Sequence, residues 1–141
     1  MARYMLDTNI LYFMIDEQED RLSNDVYSVV FDYCNTLYIS AETLKELVVA
    51  YRSKSLLANR WKTADDMVNA IINDSNVEIL PVDSNVIRRM AKLEINEAAD
   101  HKDPSDHLII AHAITMGMPL ISNDRKFPFY QSQGLELVTN F

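Results

Sequence analysis

The chain has 141 residues, 48% hydrophobic and 24% charged, which fits one domain over residues 1–141 that buries a core without metal or disulfide staples. Its 13 Lys and Arg against 21 Asp and Glu give a formal charge of −8, which excludes a surface cationic throughout but not a site that gathers cations. The single cysteine, Cys34, excludes a disulfide framework and a cysteine-rich zinc site, and Gly117 and Gly134 alone cannot build a phosphate-cradling loop or a dinucleotide fingerprint.

In chain order, Tyr4-Met5-Leu6 is a short apolar strand ending at Asp7. Asp7 and Asn9 interrupt any signal-peptide core, and no apolar run approaches the roughly 20 residues of a membrane span. A cytoplasmic protein without membrane attachment is expected. Val26, Val29, Val30, Tyr33 and Cys34 follow helical spacing, which makes Cys34 a core residue. Leu37-Tyr38-Ile39 is a second strand, ending at Ser40, and Leu44, Leu47, Val48 and Tyr51 mark the helix after it. Thr63 and Asp66 form a capping box before Met67, Val68, Ile71 and Ile72. Val77 to Leu80 is a third strand, and Val86, Met90 and Leu93 form a helical stripe after Asp83-Ser84. The last long helix opens at Asp103-Pro104-Ser105-Asp106, an N-cap followed by proline at the first position, and stops at Gly117. Pro119 to Ser122 and Leu135 to Val138 complete five strands. Alternation with helices implies an α/β fold with a mainly parallel sheet, whose ligands sit at the carboxyl ends of the strands.

That topology gathers acids. Asp7 follows the first strand, Asp124 follows Pro119 to Ser122, Glu46 lies in the helix after Ser40, and Asp106 lies in the first turn of the last long helix. Carboxylates in one pocket repel unless a cation neutralises them, and hard oxygen ligands favour Mg²⁺ or Mn²⁺. Metal-dependent phosphodiester hydrolysis is the chemistry such a site suits. Each acid also has a plain structural reading: Asp7 and Asp103 as helix caps, Asp106 as the capping partner of Asp103, and Asp124 as a turn residue. Glu42 lies one turn before Glu46 on the same side, and periodicity does not choose between them.

Four segments carry a resemblance: Met5-Leu6-Asp7-Thr8-Asn9-Ile10-Leu11, then Ile39 to Leu47 with Glu46, then Asp103 to Ala113 with Asp106, then Leu120-Ile121-Ser122-Asn123-Asp124-Arg125-Lys126-Phe127. In order and spacing the chain resembles the PIN-domain nucleases, and within them the VapC-like toxins of toxin–antitoxin pairs. The resemblance implies a PIN-like three-layer fold, with helices flanking a twisted, mainly parallel five-stranded sheet. It also implies a Mg²⁺- or Mn²⁺-dependent endoribonuclease that forms a homodimer and is inhibited by a small antitoxin. By position, the acidic quartet falls on Asp7, Glu46, Asp106 and Asp124. Asp103 is a common additional acid, Ser122 a common hydroxyl and Asn9 the polar residue after the first acid. Position 107 is His where related sequences often carry Arg, and residues 52–76 match no motif.

For RNA contacts the candidates are Arg52, Lys54, Arg60 and Lys62, in an acid-free stretch with Tyr51 and Trp61, together with Arg125 and Lys126 beside Asp124. The stretch reads equally as a solvated helix face with Trp61 packed on the core or a dimer interface. The three histidines are not read as ligands; His107 and His112 lie about 140° apart around a helix. Two other functions compete. A haloacid-dehalogenase-like phosphohydrolase would use Asp7 as nucleophile, although Asn9 and Leu11 replace residues that family requires. A non-catalytic binding module would keep only the fold.

Overall fold

Met5 and Leu6, both fully buried, lie on the central strand of a parallel five-stranded sheet in the computed structural model, which describes residues 1–53 and 60–141. The strands are β1 (Arg3–Leu6), β2 (Thr36–Ser40), β3 (Val77–Leu80), β4 (Leu120–Ser122) and β5 (Leu137–Thr139), in the order β3-β2-β1-β4-β5. Every neighbouring pair is parallel, with Met5 opposite Tyr38 and Leu120, and Leu6 opposite Ile121.

The period of two along β1 divides the core into two layers. Leu6 joins Leu37, Ile39 and Ile121 on one face, covered by Ile10 and Leu11 of α1 (Thr8–Ile15), Val26 and Val30 of α2 (Asn24–Val30), Leu47 of α3 (Ala41–Arg52) and Met67 and Ile71 of α4 (Ala64–Asp74). Met5 and Leu120 face the other layer, with Ile109, Ile110 and Ala113 of α6 (Pro104–Met116) and with Phe127 and Tyr130. Helix α6 also packs against α5 (Ser84–Ala91) and α3, so every residue from His107 to Ala113 is buried. Helices on both faces of one parallel sheet make the three-layer α/β arrangement expected from the alternation. Among the described residues, no helix is long and apolar enough to cross a membrane.

Local signals explain most boundaries. Asp103 caps α6 with Pro104 in its first turn, and Gly117 ends it at φ 63°, a left-handed conformation that favours glycine. Thr63 caps α4 through the Asp66 N–H.

Three differences from expectation stand out. Helix α2 stops at Val30, and Cys34 is exposed rather than in the core. Asp32 Oδ1 accepts the Cys34 N–H at 2.9 Å, and this local turn outcompetes another helical turn. Val26 and Val30 account for the buried stripe, while Tyr33 is 94% exposed. Leu135 is buried but precedes β5; it plugs the core after Gly134 closes a 3₁₀ helix over Phe127–Gln133. Helix α1, a nearly continuous apolar run from Ile10 to Ile15, has neither a clear amphipathic stripe nor the proline and glycine boundaries that identify α6.

Candidate metal centre

The carboxyl ends of β1 and β4 lie side by side, and the loops leaving them carry Asp7 and Asp124. Asp7 is the N-cap of α1: its Oδ1 accepts the Thr8 N–H at 2.8 Å, and its Oδ2 accepts the Ser122 hydroxyl at 2.7 Å. The Ser122 oxygen in turn accepts the Asp124 N–H at 3.1 Å, so one hydroxyl ties both strand ends together. Asp124 Oδ1 accepts the Lys126 N–H at 2.9 Å.

Helices bring the remaining acids. Glu46 reaches back along α3, and its Oε1 accepts the Thr8 hydroxyl at 2.5 Å. Glu42 is engaged elsewhere, with Lys45 Nζ at 2.7 Å and the Ser105 hydroxyl at 2.9 Å on the same oxygen. Asp103 caps α6 through the Ser105 N–H, yet also faces the acids. Asp7, Thr8, Asn9, Glu46, Asp103, Asp106 and Asp124 together line a cavity of about 260 Å³. Asn9 Nδ2 donates to Asn123 Oδ1 at 3.4 Å on its rim. Oxygens of Glu46, Asp103 and Asp106 lie within 4.8 Å of one another, as do ligand atoms of His101, Asp106 and Asp124. Larger clefts exist, one of about 430 Å³ lined by Leu11, Met14, Ile15, Phe31 and Trp61, but the gathered carboxylates distinguish the smaller cavity.

Burial sets the electrostatics. It raises the Asp7 carboxyl to about 7, reinforced by the charges of Asp106 and Glu46 and opposed by the Ser122 and Thr8 hydrogen bonds. Asp106 is likewise raised to about 7, by burial and then by Asp103, Asp124 and Glu46. Glu46 is pushed up by burial, against its Thr8 hydrogen bond. Among the described residues, no Lys or Arg forms an ion pair with Asp7, Glu46, Asp106 or Asp124. Oxygen-rich, mutually repelling and without a protein cation, this donor set fits a hard divalent ion.

The basic candidates divide by position. Arg125 and Lys126 follow Asp124, and the Lys126 charge is felt at Asp106. The Arg125 guanidinium stacks 4.4 Å from the centre of the Phe141 ring. Arg60 lies beyond the far end of α1, 3.4 Å from Asp16 and 3.6 Å from Glu17. Trp61 packs on the core, and its carbonyl accepts the Tyr51 hydroxyl at 2.7 Å. Arg52 closes α3 and Lys62 precedes the Thr63 cap, so neither lines the cavity. Lys54 lies outside the described residues.

Sequence reasoning missed Thr8 and His101. Thr8 sits in the same motif as Asp7, but its orienting role depends on a helix 38 residues away. His101 precedes α6 and shares no helical face with the acids; burial and its contact with Asp106 reveal it. His107 and His112 are occupied by the His101 carbonyl and the Ser40 hydroxyl.

Known proteins give a consistent comparison. The profile of the PIN domain matches residues 4–131. VapBC2 from Rickettsia felis, solved bound to a DNA fragment from its promoter, contains a chain 24% identical to this one, with 98% of each chain covered and a TM-score of 0.71. DNA-bound VapBC from Salmonella typhimurium gives 24% identity, full coverage of both chains and a TM-score of 0.71. VapBC-5 of the VapBC toxin–antitoxin family from Mycobacterium tuberculosis gives 22%, 99% of each chain and 0.65. No curated protein sequence matches significantly. The profile spans both acid-bearing strand ends and the intervening helices, and the parallel order places them on one rim; on both counts the chain belongs to the PIN domain family.

Proposed function

We propose that this chain is a Mg²⁺- or Mn²⁺-dependent endoribonuclease, the toxin of a toxin–antitoxin pair. The observation carrying the proposal is the convergence of Asp7, Glu46, Asp103, Asp106 and Asp124 on one small cavity of a PIN domain. Asp7, Asp106 and Asp124 would hold the metal, with Glu46 helping and Asp103 completing the acidic wall. When bound, the cation neutralises these acids and the phosphate and lowers the pKa of the attacking water. The residues supply orientation: Ser122 and the Thr8 N–H fix Asp7, and the Thr8 hydroxyl aims Glu46 at the cavity, where it positions the water. Asn9 holds the rim through Asn123. In-line displacement by water breaks the P–O3′ bond, leaves a 5′ phosphate and a 3′ hydroxyl, and does not need the RNA 2′-hydroxyl. RNA preference therefore resides in binding, for which Arg125 and Lys126 are the nearest of the candidate cations.

The VapBC complexes motivate an antitoxin partner for this chain, and the family resemblance implies a homodimer and a cytoplasmic setting. The acidic segment Asp16-Glu17-Gln18-Glu19-Asp20 follows Ile15 and meets Arg60 on the wall of the cleft formed with Met14, Phe31 and Trp61, and it suits a basic, amphipathic antitoxin segment. The phosphohydrolase alternative is disfavoured because Asn9 and Leu11 replace residues that family requires and Ser40 Oγ is engaged by the Glu42 N–H and His112. Cleavage of RNA by purified protein with Mg²⁺ or Mn²⁺, abolished by EDTA, is the direct test. Undiminished cleavage in EDTA would refute the mechanism, no cleavage of any RNA would favour a binding module, and a phospho-aspartate at Asp7 would favour the phosphohydrolase.

A further inference from the structure

His101 is 1% exposed, and both ring nitrogens are engaged. Nε2 lies 3.0 Å from Asp106 Oδ2, and Nδ1 lies 2.8 Å from the Tyr130 hydroxyl oxygen. The other contacts of the tyrosine determine the direction of these bonds. Tyr130 Oη accepts the Asn96 N–H at 3.1 Å, and Nδ1 is the acceptor within reach of its own proton among the described contacts, which favours donation to Nδ1. A neutral imidazole that accepts at Nδ1 carries its proton on Nε2 and donates it to Asp106. The ring is clamped from other sides as well: its backbone carbonyl is 2.9 Å from His107 Nε2, and its face packs near Phe127. Asn96 Nδ2 donates to the Lys126 carbonyl at 3.2 Å, which joins the relay to the loop carrying Asp124.

We infer that His101 is a positioning residue: a buried relay from Asn96 through Tyr130 and His101 fixes one oxygen of Asp106, sets its other oxygen toward the cavity and ties it to the Asp124 loop. This deepens the metal-centre reading and rests on it. A ligating carboxylate that is itself hydrogen-bonded loses less freedom when the ion binds, and loss of such a partner typically lowers metal affinity about 10- to 100-fold. The same arrangement argues against His101 as a direct ligand, because the nitrogen facing the acids carries the proton.

The test is Mn²⁺ affinity by titration calorimetry on the full chain, with the fold followed by circular dichroism. Wild-type binding tests the metal reading by itself; a wild-type chain that binds no Mn²⁺ refutes that reading and this inference with it. With binding established, His101→Gln, whose amide nitrogen reaches the place of Nε2, is expected to keep affinity within about threefold. His101→Asn matches the Nδ1 end and keeps the tyrosine contact, but falls short of Asp106. It is expected to lose about 10- to 100-fold, as is His101→Ala. Tyr130→Phe removes the group that selects the tautomer and is expected to weaken binding several-fold with His101 intact. Equal losses in the Gln and Asn variants would reduce His101 to a packing residue and overturn the proposal. So would an imidazole nitrogen coupling in the electron paramagnetic resonance of wild-type Mn²⁺ protein that vanishes in His101→Gln, which would make His101 a ligand.

Discussion

Ser122 and Asp7 lie 115 residues apart in sequence and 2.7 Å apart in space, with the serine hydroxyl donating to the carboxylate. The hydroxyl is buried and accepts the Asp124 N–H, so it stabilises the ionised form of Asp7 and the position of Asp124 together. Removing a hydrogen bond to a charged group costs about 1.5–3 kcal/mol. Ser122→Ala is therefore expected to raise the Asp7 carboxyl further and weaken Mn²⁺ binding by about tenfold or more. The pH dependence of binding should move upward, as measured by calorimetry at several pH values. An unchanged profile would show that the hydroxyl serves only the strand end.

The contribution of Asp7 and Asp106 to the stability of the metal-free chain should fall as pH rises between about 4 and 7, opposed in part below 6.5 by His101 and His112, which burial holds below the ordinary imidazole value. Asp7 and Asp106 have folded values near 7 against an ordinary 3.8, so the folded state holds protons that the unfolded state has released. Their stabilising contribution is complete below 3.8 and lost as pH rises through the folded value. Ionising Asp7 in place costs up to about 4 kcal/mol, and Asp106, 18% exposed, costs less. Thermal melts in EDTA should give a higher Tm at pH 5 than at pH 8, and Mn²⁺ should recover the difference at pH 8. A flat Tm across that range would show that the acids do not repel as their burial implies.

The strand ends were the legible part of this site. Asp7 and Asp124 could be placed on one rim because β1 and β4 are short apolar runs, and an alternating α/β order makes such strands parallel. Asp106 was legible from the proline-containing start of α6. Glu46 was not separable from Glu42, since both lie on one side of α3; Thr8 engages one, while Lys45 and Ser105 engage the other. Cys34 fitted a helical stripe, but the Asp32 turn ends that helix, a side-chain competition that hydrophobic periodicity does not register. His101 lies off any regular element, and only the tertiary fold brings it to Asp106.

Neutralising one buried acid separates chemistry from folding. Asp7→Asn and Asp106→Asn should each abolish metal-dependent cleavage while raising the metal-free Tm at pH 8, because an amide removes the cost of burying a charge, and the repulsion with it, without emptying the space. For Asp7 the gain is limited by the Ser122 hydroxyl, which must rotate to suit its new partner. Nuclease assays and melts on the same samples check both halves. A variant that cleaves at the wild-type rate, or that loses activity only because it unfolds, would remove that residue from the metal centre.

The cations beside Asp124 should matter more for RNA than those beyond the far ends of α1 and α3. Lys126 is close enough to affect Asp106, and Arg125 is exposed next to it, whereas Arg60 is already drawn to Asp16 and Glu17. Each phosphate contact with a single strand contributes about 0.7 to the slope of log affinity against log salt. Arg125→Ala and Lys126→Ala, measured on RNA in the inactive Asp106→Asn background, should each weaken binding and lower that slope by about 0.7. Arg60→Ala should leave both nearly unchanged, since its charge is engaged by two acids beyond the far end of α1. The reverse pattern, with Arg60 dominating the salt dependence, would move the RNA path away from the cavity and make the stretch from Arg52 to Lys62 the main binding surface.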